Sequence, residues 1–317
     1  MEKWQLQQLQ ALPLEVKIKK TQERIKEWYE HWNGQVYVSF SGGKDSTVLL
    51  HIVRQIYPEV EAVFVDTGLE YPEIREFVKN YDNVLWIKPK MNFKQVIEKY
   101  GYPVISKEVS QAIYEARNKT DGAQAKKFLP ESERSKKYGE RYNLERYCYL
   151  KDSNIPISHK CCKIMKKEPA NQYSKTSGKK PMIATMTEES QLRESTWMRY
   201  GCNAYDGKEP KSTPMSFWTE QDIMQYYLKN NLPMASCYGE IIEADQLQGQ
   251  ECLEGCMSHL TTSKCKRTGC MFCMFGVHLE KEPNRFQMMK KTHPKQYDYC
   301  INKLGIGKVL DYIGVKY

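Results

Sequence analysis

The stretch Phe40-Ser41-Gly42-Gly43-Lys44-Asp45-Ser46-Thr47 decides the fold. An apolar run, residues 35–40, leads into it and reads as a short buried strand. A helical pattern follows, with Val48, Leu49, Ile52, Val53 and Ile56 on one face. Between the two, adjacent glycines let the backbone bend tightly and bring its N–H groups against an anion. The helix start adds partial positive charge. Ser41, Ser46 and Thr47 bring hydroxyls, and Lys44 brings a point charge. Asp45 is out of place in an anion site unless it holds a metal or orients the loop. The Walker spacing, GxxxxGK[ST], is absent.

Working outward, residues 14–32 place Ile18, Ile25, Trp28 and Trp32 at helical spacing and predict an amphipathic helix ended by Gly34. Residues 60–65 predict a strand closed by Asp66-Thr67-Gly68. Pro72 suits the first turn of the next helix. Residues 84–87 predict a third strand, 93–100 a short helix and 182–186 another strand. Thr219-Glu220-Gln221-Asp222 is a near capping box opening a helix through Leu228. Strands alternating with helices give βαβ units, an α/β class and a parallel sheet. Right-handed crossovers put the strand ends, and the site, on one edge.

The chain has 317 residues, enough for two domains at ~150 residues each. Hydrophobic residues make up 40% and charged residues 27%, which excludes collagen-like, mucin-like and wholly disordered classes. No apolar run reaches the ~18 residues of a membrane span. The first twenty residues show no apolar signal core, so a cytoplasmic protein is expected. Lys and Arg number 48 against 39 Asp and Glu, a net charge of +9. That favours an anionic partner, nucleotide or nucleic acid, although a mildly basic surface needs neither. Residues 117–167 concentrate the charge, 14 basic against 6 acidic side chains, with Phe128, Tyr138, Tyr142, Tyr147 and Tyr149 interleaved. They read as an insertion over the active edge, either a nucleic-acid surface or a solvated lid. The organisation expected is a helix over 1–33, a nucleotide domain over 34–235 and a cysteine-rich segment over 236–317.

Ten of the 11 cysteines lie after residue 160, and five fall within 252–273. Without an export signal they are thiols or ligands rather than disulfides. Two short-range groups stand out: Cys161-Cys162, set among lysines, and Cys270-Met271-Phe272-Cys273. Such pairs suit an iron–sulfur cluster, a four-thiolate zinc site or free thiols; adjacent cysteines are less usual for zinc. Cys265 and then Cys202 are alternative ligands. Cys148, Cys237, Cys252, Cys256 and Cys300 read as ordinary thiols. His51, beside core positions of a helix, reads as structural.

Residues 41–46, SGGKDS, resemble the PP-loop, SGGxDS, of the ATP-pyrophosphatase superfamily. Residues 66–73, DTGLEYPE, are similar to the DTG..FPET segment of the PAPS/APS reductase branch. Residues 187–199, TEESQLRESTWMR, approximate a Gly-x-Arg…Glu-Ser-x-x-Arg segment without its first arginine. Residues 213–223 resemble a P-L-x-x-W-t-x-x-D-V segment in which Trp218 is core. Residues 159–169 and 269–273 resemble the paired cysteines that ligate a [4Fe–4S] cluster in APS reductases. Over roughly residues 35–290 the chain is identified as a member of the phosphoadenosine phosphosulfate (PAPS) reductase family.

The resemblance implies a doubly wound parallel sheet of the adenine nucleotide alpha hydrolase type. It implies catalytic roles for Lys44, Asp45, Asp66, Arg193 and Arg199. It implies nucleotide contacts from Ser39, Ser41, Gly42, Gly43, Lys44, Asp45, Ser46, Asp66, Thr67 and Gly68. Cluster ligation falls to Cys161, Cys162, Cys270 and Cys273. The cofactors implied are ATP (or APS/PAPS), Mg2+ and a [4Fe–4S] cluster. Two departures bear on activity. The reductases' Glu-Cys-Gly-x-His tail has no counterpart after Cys300, and the loop that reductases often degrade is intact. Expected, therefore, is ATP-dependent adenylation coupled to sulfur transfer onto tRNA, DNA or a small acceptor, with a sulfur or electron donor protein. An APS/PAPS reductase is the alternative, and a nucleotide or redox sensor the third.

Overall fold

The computed structural model describes residues 1–118, 125–128, 136, 143–207, 209–244 and 259–317. Its described residues form two compact units. One comprises Met1–Asp66, Glu70–Lys88 and Pro169–Thr268; the other comprises Thr67–Leu69, Pro89–Glu168 and Gly269–Tyr317. Tyr138, Tyr142, Lys137, Cys252 and Cys256 lie outside the described residues.

The first unit is an α/β sandwich. It runs α1 (Lys3–Gln10), α2 (Leu14–His31), β1 (Val36–Ser39), α3 (Lys44–Ile56), β2 (Ala62–Val65), α4 (Pro72–Lys79) and β3 (Val84–Ile87). The second unit interrupts it with α5 (Phe93–Tyr100), β4 (Val104–Ile105), α6 (Lys107–Asn118) and α7 (Cys148–Lys151). The first unit resumes with α8 (Glu168–Ser177), β5 (Lys180–Ile183), α9 (Gln191–Tyr200), β6 (Asn203–Ala204), β7 (Lys211–Ser212), α10 (Glu220–Asn230), β8 (Ile241–Glu243) and β9 (Leu260–Thr262). The second unit ends with β10 (Met274–Phe275), α11 (Arg285–Thr292), α12 (Pro294–Asp298) and α13 (Ile306–Tyr312).

Six strands form one sheet in the order β3-β2-β1-β5-β7-β6, parallel except for β6 against β7. Val38 faces Ala62 on one side and Met182 on the other, so β1 is the central register strand. Strand order reverses there: β2 and β3 extend one way, β5 and β7 the other. The crevice at such a switch point, beyond the strands' carboxyl ends, is where doubly wound sheets bind ligands. Val36, Val38, Phe64 and Met182 are buried with Leu49, Ile52 and Val53 of α3 and Ile25 and Trp28 of α2. Trp218 is fully buried, as the sequence suggests, and its indole N–H donates to Thr21 Oγ1 at 2.8 Å.

Thr219 and Asp222 close the expected capping box on α10. Two boundaries differ from the sequence reading. β5 starts two residues early, where the Lys180 amide bonds the Gln35 carbonyl at 2.9 Å. The single helix expected over 1–33 is split at residues 11–13 into α1, held by a Glu2–Gln5 capping box, and α2.

The second unit is mainly helical around a two-stranded parallel ladder, β4 with β10. Its core gathers Phe93, Val96, Ile97, Val109, Ile113, Met274, Phe286 and Leu310. Among the described residues no helix is long and apolar enough to cross a membrane.

Candidate active site

The glycine loop follows β1 and opens α3 with Gly43 as N-cap. Gly42 sits at φ +69°, and a Cβ there would meet Val78 Cγ2 at 2.6 Å and Ile74 Cγ2 at 2.9 Å. Close packing of α4 on a left-handed turn therefore requires glycine. Ser41 Oγ and Ser46 Oγ lie 3.0 Å apart, and Ser46 Oγ donates to the Gly43 carbonyl at 2.9 Å. Thr47 Oγ1 donates to the same carbonyl at 3.1 Å. The hydroxyls thus brace the turn from within. Ser39 ends β1, half-buried.

Lys44 is buried. Its ammonium meets Glu220 Oε1 at 3.1 Å, Asp45 Oδ1 at 3.8 Å and the Lys266 carbonyl at 3.3 Å. Its amide donates to Tyr238 Oη at 3.2 Å, and that hydroxyl lies 2.6 Å from Thr268 Oγ1. Asp45 Oδ1 is buried without a hydrogen-bond partner. Burial holds the Asp45 carboxyl above its usual range, with Glu220 adding to the effect; Lys44, Arg267 and Arg193 oppose it. Arg193, in the first turn of α9 beyond the end of β5, is ion-paired to Glu189. Its guanidinium is held below its ordinary value by burial and by the like charge of Arg267, against Asp45. Guanidiniums beside a glycine turn at a helix start have the chemistry to take an anion, although Arg193 is paired to Glu189 in this structure.

Asp66, buried after β2, pairs with Arg75 of α4 at 3.0 Å. In the turn after it, the Leu69 amide donates to Thr67 Oγ1 at 3.2 Å and Gly68 takes φ +74°. Arg199 is exposed in the last turn of α9. It lies six residues past Arg193, about 9 Å along the axis at ~1.5 Å per residue. Sequence reasoning missed Glu220, Tyr238, Lys266, Arg267 and Thr268. The basic run at 264–267 is the one signal that could have found Arg267. Tyr238 carries no signal at all.

Within the second unit, Cys161, Cys162, Cys270 and Cys273 line one pocket with Leu69, Phe93, Met165, Lys166 and Phe272. Cys161 and Cys162 place their sulfurs 3.9 Å apart. They share a proton: the bond from Cys161 draws the Cys162 thiol down to about 6, with Lys166, Lys107 and Lys167 helping, and Cys161 is driven up. A π-turn at Lys163–Lys167 directly follows the pair. Gly276, just after Cys273 and β10, bonds the carbonyl of Ile105 at 2.7 Å. Ile105 sits at φ +60°, strain of ~1–3 kcal/mol for a β-branched residue. Among the described residues no three His, Cys, Asp or Glu are grouped to hold a single metal ion. A donor set of four soft thiols, one lysine and an otherwise apolar wall fits an iron–sulfur cluster in its chemistry.

Part of the basic insertion is structural. Arg117 donates to the carbonyls of Leu150, Lys151, Ser153 and Ile155, pinning the turn after α7. The Lys160 ammonium lies 4.7 Å from the Tyr100 ring and 4.2 Å from the Tyr114 ring. Phe128 and Tyr147 are buried, so neither can stack on a base as the sequence suggested; Tyr149 is exposed.

The family model described as phosphoadenosine phosphosulfate reductase domain matches residues 35–139 and 84–275. The chain belongs to the phosphoadenosine phosphosulfate reductase family. Two uncharacterized proteins of Methanocaldococcus jannaschii are each 37% identical, over 92 residues (27% of this chain, 22% of the relative) and 84 residues (25% and 18%). The matches with these archaeal relatives thus span about a fifth of the relatives' length. The adenosine 5'-phosphosulfate reductase of Bacillus cereus is 23% identical over 205 residues, 65% of this chain and 68% of that enzyme.

Proposed function

We propose that this chain binds an adenine nucleotide on the loop at residues 41–46. It adenylylates an acceptor, releases pyrophosphate and prepares that acceptor for sulfur transfer. The observation that carries the reading is an intact double-glycine turn at the start of α3, with Lys44 buried in it and Arg193 crowded by Arg267. The α3 dipole and the amides of 42–44 would take the outer phosphates of ATP. Lys44 would leave Glu220 and the Lys266 carbonyl to meet them. An acceptor oxygen attacks the α-phosphorus and the bond to pyrophosphate breaks. Arg193 and Arg267 neutralise the charge gathering on that leaving group. A sulfur nucleophile then displaces AMP. Asp45 Oδ1, buried with no hydrogen bond, is the kind of hard oxygen donor that Mg2+ favours, and the bound ion would share the phosphate charge.

Cys161, Cys162, Cys270 and Cys273 would hold the [4Fe–4S] cluster, which when bound supplies electrons or sulfide. Lys166 offsets its negative charge, and Phe93, Met165 and Phe272 limit water. Acceptors compatible with the charge are a nucleic acid, tRNA or DNA, or a small anion; the sulfur or electron donor would be a protein.

A second reading, reduction of a sulfonucleotide to sulfite, is favoured by the likeness to the Bacillus enzyme. Anaerobic protein incubated separately with ATP, APS and PAPS separates the two. Pyrophosphate from ATP supports the first, and sulfite supports the second. Pyrophosphate release unchanged in a folded Ser41→Ala/Lys44→Ala variant would overturn the assignment to this loop.

A further inference from the structure

Cys237 and Cys265 lie in the first unit, outside the thiol pocket of the second, and the function just described uses neither. Cys237 is buried and Cys265 half-buried. Cys237 lies in the 3-10 turn Ser236–Tyr238 before β8, and the Cys265 amide, just past β9, donates to its carbonyl at 3.2 Å. A direct backbone hydrogen bond leaves the two Cα atoms close to the ~4.4–6.8 Å that a disulfide spans. The Cys265 thiol now donates to the Arg267 carbonyl at 2.8 Å and must turn from it to reach Cys237. Both residues are reduced here.

What each cysteine adjoins gives the pair its meaning. Tyr238, next to Cys237, accepts the Lys44 amide. Lys266, next to Cys265, accepts the Lys44 ammonium through its carbonyl. Thr268, three residues on, lies 2.6 Å from Tyr238 Oη. Together these contacts clasp the first residue of α3. We propose that Cys237 and Cys265 form an oxidisable dithiol whose disulfide locks this clasp on Lys44.

The oxidant is a low-molecular-weight disulfide. Cys265, the more exposed of the two and flanked by Lys264, Lys266 and Arg267, attacks first. It opens the oxidant's S–S bond, forms a mixed disulfide and releases one thiol. Cys237 then attacks the Cys265 sulfur and releases the second thiol. Two protein thiols are oxidised, one disulfide is reduced, and the two protons leave on the released thiols. Burial pushes the Cys237 thiol up to about 12, which suits it to the second, resolving step. Lys44 engages phosphate only when the clasp opens, so the oxidised form binds ATP less well.

The test treats full-length protein with oxidised glutathione, blocks remaining thiols with N-ethylmaleimide and maps the peptides by mass spectrometry. A peptide joining 237 to 265, lighter by two hydrogens, is expected, together with slower amide exchange in residues 40–49. ATP should bind about tenfold more weakly to the oxidised form, a coupling of ordinary size. Cys265→Ser, treated alike, should show neither change. Alkylated Cys237 and Cys265 after oxidation would overturn the pair. A cross-link that leaves exchange at 40–49 and ATP affinity unchanged would overturn the lock. Failure of the reduced protein to bind ATP would sink the nucleotide reading instead, and leave cross-link and exchange to decide the thiol pair.

Discussion

At the scale of single residues, Asp45 carries two opposed demands. Its buried oxygen has no hydrogen bond, and burial outweighs the pull of Lys44, Arg267 and Arg193. Removing the charge should therefore relieve the ligand-free fold while disabling the site. We expect Asp45→Asn to raise the melting temperature at neutral pH by roughly 2–4 °C, about 1 kcal/mol for a domain of this size. The further rise on adding Mg2+ and ATP should vanish. Thermal scans with and without the ligands check both, and a lower melting temperature in the bare variant contradicts the argument. His51 offers a pH test. Its Nδ1 lies 2.9 Å from Tyr226 Oη, and burial lowers it from 6.5. Between that lowered value and 6.5 the unfolded chain binds more protons than the folded one. Stability should therefore fall as pH drops through this window and be fully present above it. Urea titrations at several pH values should show the stability difference between the native protein and His51→Gln shrinking toward acid. A difference independent of pH would exclude the mechanism.

At the scale of elements, α2 and α10 are joined by a buried ion pair, Lys17 Nζ to Asp222 Oδ2 at 2.6 Å. The same Asp222 oxygen accepts the Thr219 amide and closes the capping box. A buried pair that loses one partner leaves an uncompensated charge, worth ~3–5 kcal/mol. Lys17→Met should lower the free energy of unfolding by that amount, seen as a lower urea midpoint with little change in slope. Adding Asp222→Asn should restore part of the loss, because the cap survives while the charge goes. A double variant less stable than Lys17→Met alone would show that the charge was not the source of the penalty.

At the scale of the whole molecule, two properties are open to direct measurement. Anaerobically purified protein should be brown, with broad absorbance near ~400 nm and iron matched by sulfide. Cys161→Ser or Cys273→Ser should bleach it, and one zinc per chain without iron would refute the cluster. The second property is polymer binding. A nucleic-acid acceptor should bind with an affinity that falls linearly in log salt. Neutralising Lys126, Lys127, Lys136 and Lys137 together should lower both affinity and slope while ATP still binds. Phe128 and Tyr147 are buried and Arg117 is pinned, so among the described aromatics of this segment only the exposed Tyr149 is open to stacking on a base, while its lysines supply phosphate contact. Salt-independent binding to tRNA and to single- and double-stranded DNA would favour the lid.

Local rules determined a good deal. The strand–glycine–helix run at residues 36–56, the strand at 84–87, the helix at 93–100 and the Thr219–Asp222 cap depend on period, turn chemistry and capping, all written within a few residues. Only tertiary structure decided which distant side chains share a site. Arg267 stands beside Arg193 and Asp45, and Tyr238 takes the Lys44 amide, because β8 and β9 pair across a long connection. The four pocket cysteines converge although more than a hundred residues separate the two pairs. The division of residues 236–317 at Thr268 likewise has no local mark. Long-range packing sums many small contacts, none of which leaves a period or a spacing for the sequence to display.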